Sequence, residues 1–333
     1  MTSLIDTFGR GHRDLRVSLT DRCTLRCTYC MPHDFAAWLP NESLLKTDEL
    51  IEVIEVAVSQ GIDEIRLTGG EPLLRPDIVE IVARINAIEN PPLLSMTTNG
   101  LALAKLAEPL VNAGLRRINI SLDTLDRDRF KQLTYRDRID DVFAGIRAAK
   151  SAGLNPIKIN SVLLRGVNDH EAVSLLKWAL NEDLNLRFIE QMPLDAGGIW
   201  SRKDLITADE IFAELSKEFT LTPVEYRGSA PAEEFSIEGE TMTVGIIGSV
   251  TRPFCAACDR IRLTSDGQLR ACLFSMTETD LRSILRNSNS TEVEKREQLI
   301  SAFHSTVKAK LPGHGINEPL FIQPSRPMSA IGG

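Results

Sequence analysis

The chain lacks the features that would place it at a membrane or on nucleic acid. No apolar run approaches ~18 residues and no signal-peptide pattern precedes the first strand-like segment, so a cytoplasmic protein without membrane contact is expected. Basic residues are in deficit: 38 Lys and Arg against 46 Asp and Glu leave a net charge of −8, which offers no surface to nucleic acid or anionic lipid. An anionic small molecule would then need a local basic pocket. Low-complexity stretches and interrupting linkers are missing between residues 15 and 190. No cysteine is spare. All six fall into two groups, 23/27/30 and 255/258/272, and in a reducing compartment that grouping argues for two metal sites and against three disulfides. The remainder is ordinary: 333 residues, 43% hydrophobic and 25% charged, are enough for one large domain or two unequal ones with a sizeable core.

Residues 15–190 alternate short strand-like runs with helical patterns. Strands are predicted at 15–20, 64–68, 93–98, 117–122, 157–163 and 186–190, and helices at 47–59, 76–88, 103–113, 139–152 and 170–181. Such alternation implies a parallel sheet. Period two puts Arg16, Ser18 and Thr20, Arg66 and Thr68, Asn119, Ser121 and Asp123, and Lys158 and Asn160 on one face. Leu15, Val17 and Leu19, with Ile118, Ile120 and Leu122, fall on the other, where helices would cover them. A closed eight-stranded barrel fills its lumen with branched apolar side chains. A polar inner face therefore implies an open barrel lined for a ligand. Beyond residue 190 the alternation fails. A helix is predicted at 207–217, β-like runs at 221–226, 235–237 and 243–247, helices at 279–286 and 291–307, and an extended tail at 324–333. The expected division is 1–195 and 196–333.

Cys23, Cys27 and Cys30 follow the first strand with the spacing CxxxCxxC. A [4Fe-4S] cluster needs four thiolates to close its coordination, so a compact loop with three leaves one iron open to other chemistry. A zinc loop would more often pair two CxxC units. Gly69-Gly70-Glu71-Pro72 and Thr97-Thr98-Asn99-Gly100 lie at the ends of the next two strands, where α/β folds bind ligands. The second group reads Cys255-x-x-Cys258, then Cys272 beyond a predicted hairpin at Asp266-Gly267. Zinc would want a fourth ligand, and His304 and His314 lie far along the chain, so a second three-thiolate cluster fits better. Arg260, Arg262 and Arg270 alternate along that hairpin and can share a face. With Arg16, Arg66 and Lys158 they would make a basic pocket suited to phosphate.

CxxxCxxC with Tyr29 before the last cysteine resembles the radical S-adenosylmethionine (SAM) superfamily. Almost end to end, the stretches SLTDRCTLRCTYCMP, LTGGEPLLR, TTNG, ISLDTLD, RFIEQMPL and FCAACDRIRLTSDGQLRACLF, with Gly332-Gly333 last, resemble the GTP 3′,8-cyclases of molybdenum cofactor biosynthesis. Asp259 departs from that family's usual Asn and adds charge beside the second cysteine group. The resemblance implies an α/β fold, with an incomplete, open βα barrel of the radical SAM type and a smaller C-terminal α+β segment carrying a second [4Fe-4S] cluster. It implies that Cys23, Cys27 and Cys30 hold the cluster that meets SAM, with Tyr29, Gly70, Ser121 and Met192 as SAM contacts. Cys255, Cys258 and Cys272 would hold the other cluster, whose open iron binds guanine. Arg16, Arg66, Thr97 and Lys158, with Arg260, Ile261 and Arg262, would hold GTP. Gly332 and Gly333 would insert into the site in support of catalysis, the terminal carboxylate meeting an inner-face cation, with Arg16, Arg66 and Lys158 as equal candidates.

In the implied lyase reaction a 5′-deoxyadenosyl radical takes the ribose 3′ hydrogen of GTP and the carbon radical attacks C8 of guanine. One-electron reduction through the second cluster then gives 3′,8-cyclo-7,8-dihydroguanosine triphosphate. Implied partners are GTP, an electron donor of the flavodoxin or ferredoxin type, and the cyclic pyranopterin monophosphate synthase that takes the product; a homodimer is compatible. Two other readings stay open. A two-cluster radical SAM peptide maturase would want a longer, more cysteine-rich C-terminal part. An iron-sulfur electron carrier would have no use for the glycine motif or the basic pocket.

Overall fold

The computed structural model of the chain describes residues 3–31, 38–195, 198, 200–225 and 227–332. β1 (Asp14–Ser18) and α1 (Thr47–Ser59) are followed by β2 (Glu64–Thr68), α2 (Ile78–Asn86), β3 (Leu93–Thr98) and α3 (Leu103–Asn112). Next come β4 (Arg117–Ser121), α4 (Arg127–Thr134), α5 (Ile139–Ser151), β5 (Ile157–Val162), α6 (Ala172–Asn181), β6 (Asn185–Ile189) and α7 (Ala208–Leu215). The remainder adds β7 (Leu221–Pro223), β8 (Glu233–Ile237), β9 (Thr243–Ile247), β10 (Arg260–Leu263), β11 (Gln268–Arg270) and β12 (Thr279–Asp280). It ends with α8 (Leu281–Leu285), α9 (Glu292–Lys308) and α10 (Met328–Ile331).

All twelve strands join one sheet in the order β12-β11-β10-β1-β2-β3-β4-β5-β6-β9-β8-β7. The C-terminal segment therefore does not stand apart. It supplies β10 as a parallel neighbour of β1 and β9 as a parallel neighbour of β6, and antiparallel strands finish both edges. The order does not close on itself. Residues at the ends of β1 to β6 nevertheless line a single cavity, so the sheet wraps around a lumen, as an open barrel should. The period-two pattern is realised: Leu15, Val17, Ile118 and Ile120 are buried in one core with Leu50, Val53 and Ile54 of α1. Burial of side chains of that size stabilises by about 1.5–3 kcal/mol each. That outer core leaves the opposite face free to be polar.

Most elements match the expected segments to within two residues. α4 was not expected, because only Phe130 and Leu133 among its hydrophobic side chains are buried and the rest of its turns are polar; the Asp126 side chain, accepting from the Arg129 N–H at 2.7 Å, caps it. The tail is not extended throughout, since Met328–Ile331 form one helical turn with Ile331 buried. Tyr226, in an expected β-like run, and Gly333 lie outside the described residues. Among the described residues no helix is long and apolar enough to cross a membrane.

Candidate active site

Strand direction separates the two cysteine groups. Cys23, Cys27 and Cys30 follow β1 and sit at the C-terminal ends of the parallel strands. Cys255 and Cys258 precede β10, whose Arg260 lies beside Asp14 at the start of β1. β11 returns antiparallel, with Arg270 beside Arg262, and so brings Cys272 back to the same lower end. The length of β1, about 13 Å at ~3.3 Å per residue, lies between the two levels.

At the upper end, a cavity of about 250 Å³ brings together the three cysteines with Tyr29, Gly70, Ser121 and Met192, and adds Thr97 and Arg262. Gly69 and Gly70 are small for a reason internal to the chain: a Cβ at Gly70 would stand 2.3 Å from the Arg22 carbonyl oxygen, and one at Gly69 2.5 Å from that of Thr20. The glycine motif thus packs on the backbone leading into the cysteine loop. Glu71 ties this loop to the next one, accepting from Thr98 Oγ1 at 2.6 Å and from the Asn99 N–H at 2.7 Å. Burial pushes its carboxyl up to about 7. Asn99 in turn points Nδ2 at the Cys23 sulfur, 3.7 Å away. Tyr29 donates its hydroxyl to Asp123 at 2.7 Å, and burial raises the Asp123 carboxyl to about 6. The signal for Glu71 and Asp123 was present, as a polar residue at each strand end, yet neither was singled out for the site.

Below the cavity lies a register row of cations. Arg270, Arg262, Arg16 and Arg66 are direct cross-strand partners on β11, β10, β1 and β2, and adjacent strands run about 4.8 Å apart. Asp14 offsets part of this charge, accepting from Arg16 at 2.7 and 2.9 Å and lying 3.5 Å from Arg260. Arg66 feels Asp14 only as a lesser offset: its side-chain hydrogen bond is to Ser95 Oγ at 3.1 Å, and enclosure by protein, then Arg16, hold its guanidinium well below the usual arginine range. Lys158 meets Glu234 at 3.4 Å, beside Arg187, which donates to the same carboxylate at 2.8 Å. Arg187 is a further inner-face cation, legible from its parity in β6 but not singled out. Thr97 accepts from Asn119 Nδ2 at 3.2 Å. Arg270 is buried but engaged, bonded to Glu278 and to the Ser275 carbonyl, where it braces the chain after Cys272. Ile261 stands apart from the other expected GTP contacts. Its side chain is fully buried in the outer core, so it can offer the lumen only its backbone.

The tail enters between these levels. Gly332 has φ +90°, and a Cβ there would stand 2.6 Å from Thr68 Oγ1 and 2.9 Å from Ser18 Cβ. Its carbonyl accepts from Arg262; the terminal carboxylate, for which Arg16, Arg66 and Lys158 are the candidates, belongs to Gly333 and lies outside the described residues. Parity could not have found this partner, because the approach of the tail is a tertiary event. The Ser329 N–H faces the Cys30 sulfur, and Arg326 fastens the base of the tail to Asp266 at 2.9 Å.

Each cysteine group fits an iron-sulfur cluster by its donors: three free, partly buried thiols that influence one another's charge. Burial pushes the Cys23 thiol up to about 11 and Cys30 to about 12, so metal binding there must displace protons. Burial would raise Cys258 too, but Lys310 and Arg260 outweigh it and bring that thiol below its ordinary value. Among the described residues no set of three or more His, Cys, Asp or Glu is placed to hold a single metal ion.

Residues 17–179 match the Radical SAM superfamily, and residues 184–316 match Molybdenum Cofactor Synthesis C. The chain is 54% identical to the GTP 3',8-cyclase of Streptomyces coelicolor, over 99% of this chain and 96% of that protein. It is 52% identical to the GTP 3',8-cyclase of Mycolicibacterium smegmatis, over 99% of this chain and 92% of that one. Among solved structures, Streptococcus suis SuiB bound to S-adenosylmethionine matches with a TM-score of 0.59 at 13% identity, over 89% of this chain and 69% of that chain, a likeness of fold alone. A full-length match at this identity, joined to two cysteine groups at opposite ends of a basic lumen, establishes that the chain belongs to the GTP 3′,8-cyclase family of radical SAM enzymes.

Proposed function

We propose that the chain converts GTP to (8S)-3′,8-cyclo-7,8-dihydroguanosine 5′-triphosphate, the first step of molybdenum cofactor biosynthesis, using SAM and two [4Fe-4S] clusters. The observation that carries this reading is the register row of arginines, Arg262, Arg16 and Arg66, whose charge Asp14 offsets only in part, lying between two three-cysteine groups. Cys23, Cys27 and Cys30 would hold the upper cluster and Cys255, Cys258 and Cys272 the lower one. When bound, the upper cluster supplies the electron that splits SAM into methionine and a 5′-deoxyadenosyl radical, and the lower one an open iron for guanine.

The protein's own groups position and enclose. Tyr29, Gly70, Ser121 and Met192 wall the SAM cavity. Arg16, Arg66, Lys158, Arg260 and the missed Arg187 face the triphosphate, whose charge would relieve their mutual repulsion. Thr97 lies at the junction, within reach of the ribose level. Transfer of the 3′ hydrogen to the adenosyl carbon leaves a ribose radical that bonds to C8; one electron and one proton then complete the dihydroguanine. A lumen plugged by the tail keeps water and bystander side chains from that radical. We take residues 1–195 as the SAM-binding barrel and 196–333 as the segment completing it. The enzyme would work in the cytoplasm, fed by a flavodoxin or ferredoxin, and pass its product to cyclic pyranopterin monophosphate synthase.

Anaerobically reconstituted protein with SAM, dithionite and GTP should give 5′-deoxyadenosine and a cyclised nucleotide in step. Deoxyadenosine formed without loss of GTP would overturn the reading. The phosphate assignment has its own test. A charged hydrogen bond is worth ~1.5–3 kcal/mol, so Arg66→Ala should weaken GTP binding about ten- to a hundredfold by calorimetry, with a smaller loss for guanosine. Equal losses for the two ligands would place Arg66 away from the phosphates.

A further inference from the structure

Lys310 is 5% exposed, and a lysine is seldom so buried without a paired carboxylate. It has none here. Its Nζ donates to the Arg260 carbonyl at 2.5 Å and lies 3.5 Å from both Cys258 Sγ and His12 Nδ1. The negative groups that act on it are Cys258 and Cys272. His12 is held from behind, its Nε2 3.2 Å from Asp6 Oδ2. With the ring proton directed at Asp6, Nδ1 is left as an acceptor facing the ammonium. Burial and then Lys310 itself disfavour a second proton on that ring.

Two elements fix this arrangement. α9 packs Phe303 and Val307 into the core and releases the chain so that Lys310 is driven in beneath β10. The turn ahead of β1 is clasped by Asp6, which accepts from Arg10 Nε at 2.5 Å; Arg10 then donates to the Cys255 carbonyl at 2.7 Å and the Leu311 carbonyl at 2.7 Å. At the upper cysteines the groups against sulfur are neutral: Cys23 meets the amide of Asn99, with Arg26 bonded to its carbonyl and acting on the thiol only through space, and Cys30 meets a backbone N–H.

We propose that Lys310 is a positioning residue whose ammonium is the counter-charge of the lower cluster, donating to the Cys258 sulfur and so raising that cluster's reduction potential. Hydrogen bonds to sulfur and local charge are the levers by which a protein sets such potentials. The proposal rests on the reading that Cys255, Cys258 and Cys272 hold a cluster.

Potentiometric titration of the reconstituted full-length protein, followed by EPR, tests it, with the upper cluster recognised by its response to SAM. Lys310→Met should disfavour reduction of the lower cluster at least tenfold, about 59 mV for one electron, and leave the upper one unmoved. Lys310→Arg should stay within about threefold of the parent. An unmoved potential in Lys310→Met, or equal shifts in the Met and Arg variants, would overturn the proposal. If Lys310→Met and Lys310→Gln both lose iron from the lower site while Lys310→Arg keeps it, the counter-charge stands; if Lys310→Arg loses it as well, the side chain only fills space and the proposal falls. Parent protein that takes up no lower cluster would instead defeat the reading of the site, and the proposal with it.

Discussion

Protein carrying Cys27→Ser should release no 5′-deoxyadenosine from SAM, whereas Cys258→Ser should still release some and yet form no cyclised nucleotide. The two outcomes differ because the cysteines serve opposite ends of one lumen. Cys27 belongs to the cavity that also holds Tyr29, Gly70 and Met192, and on the proposed reading its loss would remove one of three cluster ligands and with it the electron source for SAM. Cys258 lies before β10, below the arginine row, and is not among the residues that line that cavity. Its loss should leave radical generation running but the guanine end of GTP unheld, so that the 3′ carbon no longer meets C8. Chromatographic quantification of both products from the same anaerobic incubation separates the cases. Normal cyclised product from Cys258→Ser would make the lower site merely structural.

Removing Gly332 and Gly333 should lower the rate of cyclisation about a hundredfold, the scale on which ~1 Å misplacement acts, with GTP affinity and iron content nearly unchanged. Gly332→Ala should approach the same loss. Its Cβ would be pressed against Thr68 and Ser18 at a backbone φ of +90°. Overpacking and left-handed strain each cost about 1–3 kcal/mol, enough to unseat a single helical turn. A peptide ending Met-Ser-Ala-Ile-Gly-Gly, added to the truncated protein, should restore part of the rate. Arg262→Ala should resemble the truncation more than it resembles Arg66→Ala, because Arg262 is bonded to the tail. Full activity in the truncated protein would show that the tail has no part in catalysis.

The strands and their polar face were legible because period two is a local signal and the lumen breaks the apolar rule on β1, β2, β4 and β5. The cysteine groups were legible from spacing alone. What escaped was nonlocal. Nothing in residues 243–247 or 260–263 says that they will flank β6 and β1, since edge pairing is decided by which surface remains uncovered after the first six strands assemble. Arg262 showed its face but not its partner, which arrives from seventy positions away. Gly70 is expected as a SAM contact, and the nearest neighbour of a Cβ there is the chain's own Arg22 carbonyl. Lys310 gave no sign, following a helix end in a stretch without motifs. Arg187 was readable by the same parity that placed Lys158, as were Glu71 and Asp123 from their strand ends.

The pairing of β1 with β10 also sets a schedule for biosynthesis. Residue 14 emerges from the ribosome early, but its neighbour Arg260 follows almost 250 residues later, and the lumen is not floored until that neighbour is made. Contacts of such long sequence separation form slowly, and a domain of this size passes through partly built states with unpaired strand edges. The upper cysteine loop is thus translated well before the wall that shelters it. Metal delivery to a nascent chain would meet an exposed three-thiol loop without its floor, so productive loading belongs after translation, when β10 has locked beside β1.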